Sequence, residues 1–204
     1  MQNTIITAVA PTRICDVGGW TDTHFARTGA VFNIAIYPYV EVQVHSLPAT
    51  EMDARLVIDA ENYGDTYALD PSHIVYDRHP LIEATIKVME IPQDVGLRIN
   101  IFAHAPPGAS MGTSAAVSVA LIGALDALTQ KHLSRREMAA LAHSIETKEL
   151  GLECGVQDQL ASVYGGINLI RMRLTFTKIT LAFLLSVGGL GWRDPRCRKS
   201  RSNA

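Results

Sequence analysis

Apolar and polar residues along this chain fall into short blocks whose period switches between two and about three and a half, so strands and helices can be read separately. Positions 4–10 are apolar and rich in β-branched residues up to Pro11, the pattern of a buried strand meeting a loop. Residues 31–36 and 40–45 predict two strands interrupted by Pro38. In the second, Val40, Val42 and Val44 share one face while Glu41, Gln43 and His45 share the other, as in a half-exposed antiparallel hairpin or sheet edge. Shorter strands are predicted over 55–58 and 66–69, on either side of the turn signal Asn62-Tyr63-Gly64-Asp65. The period then changes. Leu81, Ile82, Thr85, Ile86 and Met89 recur at helical spacing, and Ile91-Pro92 closes that helix.

Residues 97–103 alternate like a strand once more. A helix with a broad apolar face follows, marked by Val117, Leu121, Ile122, Leu125 and Leu128. Ser134-Arg135-Arg136-Glu137 is a capping box that opens another helix, with Met138, Leu141, Ala142 and Ile145 as its buried stripe. Glu146 and Glu149 lie beyond that stripe, where a solvated helix face is the ordinary role for an acid. The segment 151–155 ends the helix, Val156-Gln157-Asp158-Gln159-Leu160-Ala161 starts a new helical turn, and residues 167–170 read as a returning strand after Gly165-Gly166. An acid at the position of Asp158 ordinarily complements the helix dipole.

The junction between the strand at 97–103 and the helix after it carries the first chemical signal: Ala105-Pro106-Pro107-Gly108-Ala109-Ser110-Met111-Gly112-Thr113-Ser114-Ala115-Ala116. Two prolines stop regular pairing, two glycines let the backbone turn tightly, and a helix begins near Thr113 or Ser114. A helix start offers unpaired N–H groups and the positive end of the dipole, and the small residues let an anion approach the backbone. The hydroxyls of Thr113 and Ser114 add donors or a magnesium ligand. The segment is neither a Walker A loop nor a Gly-x-Gly-x-x-Gly turn. Simple helix capping is the competing account. A second polar gathering follows the first strand, where Arg13 and Asp16 precede Gly18-Gly19-Trp20-Thr21-Asp22; here Asp22 as an Asx turn or helix cap, salt-bridged to Arg13, is the plainer reading.

Composition narrows the function class. The chain has 204 residues, 48% of them hydrophobic and 19% charged, an ordinary globular balance that excludes a disordered chain. A net charge of −2 offers no basic footprint for nucleic acid and no polybasic membrane anchor. Cys15, Cys154 and Cys197 are too few and too far apart for a disulfide framework or zinc cluster. The apolar stretch 181–190 is too short to span a bilayer and no signal peptide is apparent, so a cytoplasmic protein working on small molecules is expected.

Three separated segments together resemble the GHMP kinases. Ala10-Pro11-Thr12-Arg13 with Gly18-Gly19-Trp20-Thr21-Asp22 looks like the substrate-side motif of that family's sugar kinases. Residues 106–116 resemble its phosphate loop, with Met111 in place of a leucine and Thr113 in place of the first serine. Gly155-Val156-Gln157-Asp158-Gln159, followed by Gly165-Gly166, is similar to the segment that carries the catalytic aspartate. Order and spacing agree over about 170 residues, and Gly18-Gly19-Trp20-Thr21-Asp22, His79-Pro80-Leu81-Ile82 and Gln157-Asp158-Gln159 together look most like the heptose and fucose kinase branch, galactokinase being a further relative.

The resemblance implies an α+β fold, the GHMP-kinase N-terminal domain of the ribosomal protein S5 domain 2-like type, in which a mixed sheet is covered by helices. It implies ATP-dependent phosphorylation of a sugar or sugar-phosphate hydroxyl, with ATP and Mg2+ as cofactors. Carried over by position, Asp158 would be the general base with Arg13 beside the reacting hydroxyl. Pro106, Gly108, Ala109, Ser110, Met111, Gly112, Thr113, Ser114 and Ala115 would hold the nucleotide phosphates. Gly19, Thr21 and Asp22 would contact the sugar, and Ser114 and Glu146 would hold the magnesium. ATP and a sugar are the expected partners, a homodimer is a further expectation, and nucleic acid and membrane are not expected. The alternatives are a catalytically inactive nucleotide- or sugar-binding domain and a kinase of a non-sugar alcohol such as mevalonate or homoserine.

The likeness stops near Ile170. Residues 1–170 are expected to form the ATP-binding domain, and 171–204 a divergent tail left by a frameshift or premature stop, with the family's C-terminal domain missing; a genuine short tail is the other account. In that tail, 181–185 are apolar without amphipathic period, and 192–201 are basic.

Overall fold

The computed structural model describes residues 3–26, 28–106, 108–175, 178–187 and 198–201. Pro107, Cys197 and the start of the basic segment lie outside them. Among the described residues, eight strands form one mixed sheet and four helices cover it, two lying on the sheet and two packing outside them. In chain order the strands are β1 (Thr4–Val17), β2 (Thr28–Pro48), β3 (Leu56–Ala60), β4 (Asp65–Leu69), β5 (Val95–Ala103), β6 (Ile167–Thr175), β7 (Lys178–Val187) and β8 (Arg198–Arg201). The helices are α1 (Pro80–Met89), α2 (Thr113–Thr129), α3 (Arg135–Ser144) and α4 (Gln157–Tyr164). The sheet runs β4-β3-β5-β2-β1-β8, with β6 and β7 branching from β2; β3 and β5 are parallel and every other pair is antiparallel. This is the mixed, helix-covered sheet expected from the sequence.

Two prolines behave differently from their sequence-based reading. Pro11 does not end β1: it pairs with Tyr39, and the register then slips so that Thr12 faces Ile36. Tyr37 and Pro38, joined by a cis peptide, are the extra residues of this bulge, so 31–36 and 40–45 belong to one long strand in the middle of the sheet and not to an edge. The bulge is tolerated because it sits where β2 changes partner, from β6 at Thr28–Ile34 to β5 at Val40–Pro48. Neither proline has to donate to a ladder there. The split opens the sheet on that side, and the loop after β5 lies beside the opening, with His104 N bonded to Tyr39 O at 3.0 Å.

The core lies between the sheet and the helices. Val40, Val42 and Val44 are fully buried on one face of β2, alongside Ile6, Ala8 and Ala10 of β1 and Leu97, Ile99 and Ile101 of β5. They pack with Leu121, Ile122 and Leu125 of α2, each such side chain contributing about 1.5–3 kcal/mol on burial. Helix α2 is buried well beyond the single apolar face predicted for it: Ala115, Ala116, Ser118, Val119, Ala120 and Ala124 are also buried. The sheet lies on one side and α1, α3 and α4 on the others, so α2 is the central helix. The capping box of α3 forms as predicted, with Glu137 N bonded to Ser134 Oγ and Ser134 N to Glu137 Oε2. Ala139, Ala142 and Ile145 are buried, while Met138 and Leu141 are only half-buried against the core. The backbone continues past position 170 in β6, and the apolar run 181–185 lies in β7.

Candidate active site

One cavity of about 910 Å³ opens where the loop after β5, the turn after β1 and the start of α4 meet. Its volume suits a nucleotide-sized ligand with room for a second small molecule.

The loop side is built from backbone. Gly112 caps α2 in the left-handed conformation (φ 69°) with no side chain bonded to the helix start, and the first intrahelical bond runs from Ala116 N to Gly112 O at 3.1 Å. The N–H groups of the first turn are therefore left for a ligand. Gly108 (φ 78°) has nothing within 4 Å of where a Cβ would stand. Gly108, Ala109, Ser110, Met111, Gly112, Thr113 and Ser114 all line the cavity; Pro106 and the fully buried Ala115 do not.

The opposite side is built from paired charges. Arg13 leaves β1 and makes a two-pronged contact with Asp158, Nε to Oδ1 at 2.7 Å and Nη2 to Oδ2 at 2.9 Å. Its remaining nitrogen bonds Ser110 O at 2.6 Å, and its backbone N bonds Met111 O at 2.9 Å. One arginine thus ties β1, the loop and α4 together, with the carboxylate of Asp158 directed beside the loop. Bidentate pairs of this kind fix orientation as well as charge. Asp22 is 2% exposed and does not pair with Arg13. It accepts from Gln157 N at 2.9 Å and Gln157 Nε2 at 3.4 Å, capping α4 from a distance, since Val156 at the N-cap has no side-chain bond to the helix. The approach is possible only because residue 155 is glycine: a Cβ there would lie 1.8 Å from Asp22 Oδ2.

Glu146 sits in a π-helical turn (Ile145–Glu149) that continues α3, a distortion often found at functional sites. It is 7% exposed, not on a solvated face, and Gln159 Nε2 donates to its Oε1 at 2.7 Å. Burial pushes its pKa above the usual carboxylate range, and the charge of Asp158 adds to that. Cys154, beside it, has its thiol pushed up to about 12 by burial and by Glu146. The donor set fits a magnesium ion. A buried carboxylate gains from a cation, Ser114 lines the same cavity, and the described residues hold no cluster of three or more His, Cys, Asp or Glu side chains. Mg2+ takes one or two protein ligands and leaves the rest to phosphate and water.

Gln157, Asp158 and Gln159 are consecutive, and successive helical residues turn by about 100°. Each therefore reaches a different partner: Asp22, Arg13 and Glu146. The sequence marked these three residues as a run, and only the helix geometry separates their tasks. Of the positions expected to contact sugar, Gly19 and Asp22 line the cavity. Thr21 does not; its hydroxyl bonds Gly18 O at 2.6 Å and Ala30 O at 3.2 Å. The far end of the cavity, lined by Asn62, Tyr63, Arg78 and His79, was not foreseen as a unit. His79 Nε2 lies 3.0 Å from Asp65 Oδ2, and Arg78 pairs with Asp65 and covers the Tyr67 ring. The signals in the sequence were the turn at 62–65 and the segment His79-Pro80-Leu81-Ile82.

A helix-terminal anion cradle facing an arginine-held carboxylate and a buried acid is a layout suited to a phosphate-bearing ligand. Comparison with known proteins agrees: residues 80–166 match the profile for the GHMP kinases N terminal domain. That stretch is similar to the N-terminal domain of the GHMP kinases, and sugar kinases of that family are among the relatives. It is 28% identical over 170 residues to a bifunctional fucokinase/GDP-fucose pyrophosphorylase of Arabidopsis thaliana, covering 77% of this chain and 16% of that one. It is 29% identical over 127 residues to a mevalonate kinase of Pyrococcus abyssi, covering 62% and 37%. The fold matches a crystal structure of a D-glycero-D-manno-heptose 1-phosphate kinase from Bacteroides thetaiotaomicron with TM-score 0.74 at 24% identity, over 86% of this chain and 58% of that one. The chain thus spans less than two thirds of each of these relatives. Kinases of sugars and of mevalonate both occur among the relatives, which supports a phosphotransferase and leaves its acceptor open. No helix among the described residues is long and apolar enough to cross a membrane.

Proposed function

We propose that this chain supplies the phosphate loop and the catalytic carboxylate of an ATP-dependent kinase that phosphorylates a sugar hydroxyl. The observation that carries this reading is the Arg13–Asp158 fork held directly against the carbonyl of Ser110 in the loop. Residues 1–170 form the working domain in this reading, and 171–204 take no part in the chemistry.

Phosphoryl transfer needs positioning and charge neutralisation more than covalent help. The loop N–H groups from Gly108 to Ala115, flanked by Pro106, hold the triphosphate. Glu146 and Ser114 hold Mg2+, which neutralises phosphate charge when bound. Asp158 accepts the proton of the acceptor hydroxyl as its oxygen bonds to the γ-phosphorus and the bond to the β,γ-bridging oxygen breaks, releasing ADP. Arg13 keeps Asp158 aimed. Gly19, Thr21 and Asp22 form the acceptor side, Thr21 acting through the turn it braces.

Asp158→Asn keeps the size of the side chain and removes the base. Turnover should fall by about 10²- to 10⁴-fold, while ATP affinity, measured by calorimetry, changes less than about twofold. Full turnover in this variant would overturn the assignment. A sugar acceptor is preferred to mevalonate because the turn Gly18-Gly19-Trp20-Thr21-Asp22 presents an acid to the cavity, suited to hydroxyl donors.

A further inference from the structure

Beyond the carboxylate that meets the hydroxyl, the same turn carries a residue with no assigned task. Trp20 lines the cavity, is 64% exposed, and has a left-handed backbone (φ 68°), a conformation non-glycine residues rarely take. The strain is held in place from several sides. Thr23 Oγ1 bonds Trp20 O at 2.8 Å, and Thr21 N bonds Gly18 O at 3.1 Å. Gly29 packs so close that a Cβ there would be 1.8 Å from Thr21 O. Phe25 stacks beside the indole, its centroid 6.4 Å away and its plane tilted by 24°. An over-determined turn that holds a large apolar ring open to a cavity points from strain to function.

The polar surroundings define what would cover that ring. Asp22 and Gln157 line the same cavity; Asp22 Oδ1 has only a long 3.4 Å bond, and Gln157 Oε1 is buried with no partner. Both are acceptors, so they suit a ligand that brings hydroxyl donors. Both arginines lining the cavity are already paired with carboxylates, Arg13 with Asp158 and Arg78 with Asp65. Acceptors and neutralised cations disfavour a ligand that carries its own carboxylate or phosphate at this end. A pyranose has the matching shape: one face of weakly positive C–H groups for the negative face of an indole, and a rim of hydroxyls.

We infer that Trp20 is the specificity-determining platform for an uncharged sugar ring, with Asp22 and Gln157 taking its hydroxyls. This rests on the kinase reading for the reaction but makes a separate claim about the acceptor. It selects a free sugar over a sugar phosphate or a hydroxy acid.

The test is saturation-transfer NMR on the 204-residue chain with L-fucose, D-galactose, mannose 6-phosphate and mevalonate, run beside calorimetric titration with ATP. Ring C–H protons of L-fucose or D-galactose should receive saturation. Trp20→Phe should retain that signal and Trp20→Ala should weaken sugar binding by about tenfold, with ATP binding unchanged in both. An undiminished sugar signal in Trp20→Ala, no transfer to either free sugar, or preferential binding of mannose 6-phosphate or mevalonate would each overturn the inference. ATP binding without sugar binding sinks only the platform. Trp20-dependent sugar binding without ATP binding upholds the platform and sinks the kinase reading.

Discussion

The two glycine-bearing turns that face each other across the cavity use glycine for opposite reasons. In the loop after β5, Gly108 has empty space where a side chain would stand, and the start of α2 is left uncapped. In the turn after β1, a Cβ on Gly18 would lie 2.0 Å from Ala30 O, with φ at 89°. The first turn is open, which leaves room for a ligand. The second is closed because the protein itself fills it, which is what a rigid support for Trp20 and Asp22 requires. Glycine content alone does not distinguish a cradle from a scaffold; the distance to the nearest neighbour does.

The difference can be broken experimentally. Gly18→Ala meets both a carbonyl oxygen and a left-handed backbone, and should cost about 3 kcal/mol or more. In a domain of this size that lowers Tm by about 10 °C. A melt within about 2 °C of wild type would show that the turn relaxes freely and would dissolve the contrast. Glu146→Gln removes a carboxyl that burial makes costly to ionise. Because its folded pKa is raised, the stability due to its neutral form is complete below the unfolded carboxylate value of about 4.3 and is lost as pH rises through the folded value. The variant should therefore melt about 2–4 °C higher near pH 8 and match wild type near pH 4, while its Mg2+-dependent turnover falls. Equal melting at both pH values would remove the buried-acid argument. Gly108→Ala has the smallest expected effect on folding, at most about 1 kcal/mol for the left-handed backbone. Its signature is weaker ATP binding with little change in Tm. A Tm loss as large as that of Gly18→Ala would show that the two turns are alike after all.

Much of this was legible from residue order. The helix at 80–89, the capping box at Ser134 and the strand-loop-helix junction at 97–114 depend on local chemistry, and they appear where the pattern put them. The continuity of β2 through Pro38 was not legible, because whether a proline breaks a strand depends on whether a neighbouring strand needs an N–H donor at that position, and those neighbours come from β1, β5 and β6. The burial of Glu146 was hidden for the same reason. Its helical position looked solvated, and only the packing of α4 beside the π-turn brings Gln159 to it.

Sequence alone determined most of the elements, the family likeness and the identity of the acids, since period, capping and turn chemistry act over a few residues. The tertiary structure decided their partners. Arg13 belongs to Asp158, 145 residues away, and Asp22 to Gln157, 135 residues away. Those pairings depend on which strand ends lie over which helix start, and that is settled by the sheet and its core, not by any local stretch of chain.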